Sequence, residues 1–72
     1  MGNVKKKLFE MLMLDAQAQK AKAQLTLELL SEHAAGIGDH STGDFYKNAE
    51  EALQMLVDAD DKIETLQKYY GA

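Results

Sequence analysis

The stretch DFYKNAEEALQMLVDADDKIETLQKYY, Asp44 to Tyr70, decides how this chain folds. Phe45, Ala49, Ala52, Leu56, Ala59, Ile63, Leu66 and Tyr70 recur along it at alternating steps of four and three residues. Apolar residues spaced in this way return to one side of a helix at every second turn, which is the seam of a coiled coil. The positions between them are mostly Glu, Gln, Lys and Asp, with neither Gly nor Pro, so nothing breaks the helix from within. A seam of this length needs a second helix to lie against.

The residues before it supply one. AAGIGDHSTG, Ala34 to Gly43, holds three of the five glycines. Gly36 suits the position just past a helix end, with Ile37 folding back on the last turn. Ser41, followed three residues later by Asp44, is placed to cap the next helix. From Val4 to His33 there is again neither Gly nor Pro, and Ala, Leu, Lys, Gln, Glu and Met dominate. The pattern predicts one domain over residues 1–72: a helix over about 4–34, a loop over about 35–43 and a helix over about 44–70. The fold class is all-α. So short a connection makes the two helices antiparallel neighbours, a hairpin.

The first helix offers a matching stripe in Met11, Leu14, Ala18, Ala21 and Leu25. Folding the chain at the loop sets Leu25 against Ala52, Ala21 against Leu56, Ala18 against Ala59, Leu14 against Ile63 and Met11 against Leu66. These ten residues are the expected hairpin seam. They leave much over. Leu8, Phe9, Leu12, Ala16, Ala23, Leu27 and Leu30 form a second stripe on the first helix, and Leu53 and Val57 flank the seam of the second. A large apolar side chain left in water forgoes about 1.5–3 kcal/mol relative to burial. Patches of that size are rare on monomers, and a small chain without disulfides or metal is short of core. These nine residues are therefore the expected oligomer interface. The expected assembly is a homo-oligomeric helical bundle, either a dimer forming four helices or a hexamer built as a trimer of dimers.

Composition excludes several functions. The 72 residues carry a formal net charge of −4, and all eight cations are Lys. A nucleic-acid binder without Arg, the residue that grips phosphate with paired bonds, would be unusual, so no nucleic-acid partner is expected. With 28% charged residues and no apolar run approaching ~20 residues, no membrane span is expected. Lys5, Lys6 and Lys7 lead into Leu8, Phe9 and Glu10, where the glutamate breaks any secretory core; the expected compartment is cytoplasmic. There is no Cys, hence no disulfide and no thiolate metal site.

Each candidate for chemistry has a simpler explanation. His33, Asp39 and His40 bracket the loop but lack the spacing of known zinc motifs, and capping accounts for them. Gly36 and Gly38 follow a helix, not a strand, so they do not form a dinucleotide-binding loop. Ser41 and Thr42 beside His40 lack an orienting third group. Asp58, Asp60, Asp61 and Glu64 form an acidic face without the glycine of a calcium loop. No enzyme activity, cofactor or metal is expected.

The loop Gly36-Ile37-Gly38-Asp39-His40 lies between a Leu-rich helix and an acidic one ending in Asp60-Asp61-Lys62-Ile63-Glu64-Thr65-Leu66-Gln67-Lys68-Tyr69-Tyr70. Over residues 8–70 this arrangement resembles short proteins of no assigned activity encoded by myoviruses that infect marine cyanobacteria. In those proteins a Pro-Asp pair usually follows the histidine; here Ser41-Thr42 stands there, at the start of the second helix. The resemblance implies a small phage accessory protein acting in the host cytoplasm, and it carries over no functional residue. The leading expectation is a non-enzymatic protein that acts by contact with a host protein. The alternatives are a structural component of the virion or its assembly and, further off, a weak nucleic-acid or metal-binding protein.

Overall fold

A computed structural model describes residues 2–33 and 42–71 of the chain. Two helices account for nearly all of them: α1, Gly2–His33, and α2, Thr42–Tyr70. Gly36, Gly38, Asp39, His40 and Ser41, to which the sequence assigns the turn and cap, lie outside the described residues, as does the side chain of His33. At 1.5 Å per residue α1 is about 48 Å long. The termini follow from the residues at them. Asp44 sits in the first turn of α2 and Lys68 in its last, each complementing the helix dipole. The last turn closes through the Gly71 N–H, 3.0 Å from the Leu66 carbonyl and 3.2 Å from that of Gln67. A Cβ on residue 71 would stand 2.7 Å from the Gln67 carbonyl oxygen, so glycine fits there without displacing the backbone.

The helices pack along their length as an antiparallel hairpin. Two polar contacts set the register: Lys20 Nζ lies 3.0 Å from Asp60 Oδ1, and Lys62 Nζ donates to Gln19 Oε1 at 3.3 Å. Lys20 thus meets Asp60, whereas the alignment expected from the sequence sets it beside Val57, three residues away. The observed register brings Ala16 level with Ile63, Lys20 with Ala59, Ala23 with Leu56, Leu27 with Ala52 and Leu30 with Ala49. Every one of these layers contains one alanine. Where a methyl group faces a long side chain the two backbones can lie close without a void.

The buried residues follow this arrangement. Ala16, Ala23, Ala52 and Ala59 are 0–4% exposed, and they are the only buried apolar residues among those described. Phe9, Met13, Leu27 and Leu30 of α1 and Leu56, Ile63 and Leu66 of α2 are half-buried around them. On α2 the seam runs along the heptad read from the sequence. On α1 the expected stripe is replaced by another. Met11, Leu14 and Leu25 are 52–65% exposed, and Ala18 and Ala21 are exposed as well. Conversely Phe9, Ala16, Ala23, Leu27 and Leu30, expected at the interface between chains, lie within the hairpin.

The exchange has a physical reason. Phe9, Met13, Ala16, Lys20, Ala23, Leu27 and Leu30 form a heptad stripe longer than the one from Met11 to Leu25, and it offers one partner for each layer of α2. Lys20 is the one charged residue in it. Its stem lies along the seam while its ammonium reaches out to Asp60, so the charge is never buried.

The result is a rod, 57 Å long and 15 Å across, with a radius of gyration of 16.4 Å. A compact chain of this length would have about 11 Å. A rod two helices thick has no interior beyond its seam, and that determines what the surface must display.

Candidate functional site

What the hairpin cannot cover lies mainly on α1. Twelve large apolar side chains are exposed among the described residues. Seven belong to α1: Val4, Leu8, Met11, Leu12, Leu14, Leu25 and Leu29. Of the five on α2, three are tyrosines, whose hydroxyls tolerate water; the others are Leu53 and Val57. Leu8, Leu12, Leu53 and Val57, all expected to contact another chain, are among the exposed residues.

The exposed residues of α1 are ordered. At 100° per residue Met11, Leu14, Ala18, Ala21 and Leu25 centre about 180° from the stripe that packs on α2. One helix therefore carries two apolar seams on opposite sides, one occupied and one open. Between them run polar flanks with local bonds: Gln19 donates to Asp15 at 3.0 Å, the Thr26 hydroxyl to the Lys22 carbonyl at 2.8 Å, and Lys7 pairs with Glu10 at 3.5 Å. Contacts of this kind on an exposed helix surface contribute a few tenths of a kcal/mol each.

A second feature lies at the end of the rod where α1 begins and α2 stops. There the alanine layers give out, because the seam brings Met13 level with Leu66 and Phe9 level with Tyr70. With no small member in the layer the packing loosens, and a cleft of about 580 Å³ opens, lined by Leu8, Phe9, Leu12 and Leu66 with Lys5, Lys6, Tyr69 and Tyr70. Lys5, Lys6 and Lys7 stand near the positive end of the α1 dipole, an unfavourable place for cations, and beside the negative end of α2, a favourable one. Lys68 lies 5.4 Å from the centre of the Tyr69 ring, adding a cation over an aromatic face. A shallower depression of about 210 Å³, lined by Thr26, Leu30, Asn48, Glu51, Ala52 and Met55, marks the groove between the helices nearer the loop.

The outer side of α2 is acidic and exposed. Asp58 accepts a bond from Gln54 at 2.9 Å and Asp60 holds Lys20, while Asp61 and Glu64 are exposed. Among the described residues no three His, Asp or Glu side chains gather as metal ligands, and no helix is long and apolar enough to cross a membrane. Compared with known proteins, the chain matches no family model, no curated protein and no solved structure.

The sequence marks the open stripe of α1 but assigns it to the hairpin. It gives no notice of the cleft. The signal for the cleft was the loss of alternation between small and large residues toward Phe9 and Tyr70, which becomes visible only once the register is known.

Proposed function

We propose that this protein is a non-enzymatic helical scaffold that assembles with itself and acts by protein–protein contact. The observation that carries the proposal is the amount of surface the hairpin leaves open. The chain exposes 5787 Å², against about 4,500 Å² for a compact chain of 8.0 kDa. The surplus exceeds the roughly 800 Å² that each partner contributes to an ordinary protein interface. No large side chain is fully buried among the described residues, so association would supply much of the core that one chain lacks.

The resemblance to small myovirus proteins gives the contact a setting, an infected cyanobacterial cell, with a host protein as the further partner. The acidic outer side of α2 or the loop over 36–43 is the surface proposed for that partner.

Light scattering across a dilution series tests the first part. An assembly of two or more chains at micromolar concentration is expected, dissociating on dilution. A compact monomer at every concentration, melting at a temperature independent of protein level, removes the proposal. Affinity capture from host lysate tests the second part, with one defined partner expected in stoichiometric amount.

A further inference from the structure

We infer that the open stripe of α1, from Met11 to Leu25, is the surface on which a second copy of this chain docks, α1 against α1 and antiparallel. The inference rests on the self-association proposed above and specifies the face and the orientation.

Three observations select this occupant. The first is the pattern. Met11, Leu14, Ala18, Ala21 and Leu25 keep the same alternation of three and four as the seam inside the hairpin. Such a stripe meets another helix as a coiled-coil seam, and the one helix certain to be present at equal concentration is its own copy.

The second is position. All five residues are exposed, on the side of α1 facing away from α2, so a second hairpin can approach without disturbing the first. Two α1 helices joined there would form the middle of the assembly, with each α2 on the outside.

The third is charge. Residues 3–33 carry five Lys against four Asp and Glu, whereas residues 44–70 carry three Lys against seven. Two α2 surfaces brought together would set seven carboxylates against seven; two α1 surfaces meet almost neutral. Charge also sets direction. A parallel pair would place Lys5, Lys6 and Lys7 beside their own copies. An antiparallel pair that brings Ala18 level with Ala21, and Leu14 level with Leu25, places Lys7 level with Glu32 of the other copy. It also aligns the positive end of each α1 dipole with the negative end of the other.

Leu14→Glu tests the inference. The substitution enters a twofold interface at two places, and it is expected to weaken dimerisation roughly 100-fold or more. Sedimentation or light scattering reads the loss of mass, and far-ultraviolet circular dichroism should show the helix content retained. Leu53→Glu on the flank of α2 is expected to leave the dimer intact. The chain has no Cys, so Ala18→Cys gives a reading that does not depend on weakening anything. A short bis-maleimide is expected to convert it to a covalent dimer in high yield, and to leave Lys47→Cys on α2 largely uncoupled.

A dimer that survives Leu14→Glu but is lost with Leu53→Glu overturns the inference while leaving self-association standing. So does coupling through position 47 and not 18. A wild-type chain that is monomeric throughout overturns both.

Discussion

α1 and α2 are made of similar residues and differ in how many sides they ask to hide. α2 has one apolar seam and an acidic back; α1 has a seam on each side. In α2 the heptad residues from Phe45 to Leu66 are all buried or half-buried, and Ala52 and Ala59 lie at the centre. In α1 one heptad is half-buried and interrupted by Lys20, and the other is uninterrupted and exposed. A helix with one greasy side completes a hairpin. A helix with two has one left over, and the proposed dimer is what would cover it.

The comparison can be broken first at the alanine layers. Ala23→Leu or Ala59→Leu forces a second large side chain into a layer that already holds Leu56 or the stem of Lys20. Overpacking of this kind costs about 1–3 kcal/mol. Thermal denaturation should show the melting temperature falling by roughly 4–8 °C for each kcal/mol lost. If both variants melt like the wild type, the inner seam is wrongly placed.

Leu56→Ala should come next. Leu56 is only half-buried, so its loss is expected below the 2–5 kcal/mol of a fully buried leucine, at about 1–2 kcal/mol. Chemical denaturation measures it as a lower midpoint. Leu25→Ala, the same change on the open stripe, sharpens the contrast. It should leave the midpoint of a dilute, monomeric sample within about 0.5 kcal/mol of wild type.

Lys20→Met is expected to have a smaller effect and of the opposite sign. It removes an ion pair whose two side chains are 40% and 52% exposed, worth less than about 1 kcal/mol, and returns an apolar residue to a seam position. The melting temperature should hold or rise, and its dependence on salt should shrink. Lys47→Glu, on the exposed surface of α2, should change neither stability nor mass by a measurable amount.

Much of this architecture was legible in the residues themselves. The glycine-rich segment between two uninterrupted helical stretches makes a hairpin, and the α2 heptad names its own buried side. The assignment of sides on α1 was not legible from periodicity. A repeat fixes the angle between two stripes on a helix, and it is silent about which of them meets a given neighbour. Lys20 concealed the inner seam, since a charged residue in the middle of a stripe breaks the apolar pattern even when its ammonium escapes to Asp60. The signal that distinguishes the stripes is pairwise: from Ala16 to Leu30, each layer contains one alanine. That regularity belongs to two helices in register and cannot be seen on either alone.

The four buried methyl groups have a calorimetric consequence. Heat capacity rises on unfolding in proportion to the apolar area newly wetted, at about 0.45 cal/mol/K for each Å². A solitary hairpin hides only Ala16, Ala23, Ala52 and Ala59 completely and shields a single row of larger side chains around them, so it has less to wet than a compact chain of its length. Its endotherm should be shallower and its stability curve flatter than a compact chain's, whereas a sharply peaked curve would be the thermal signature of company.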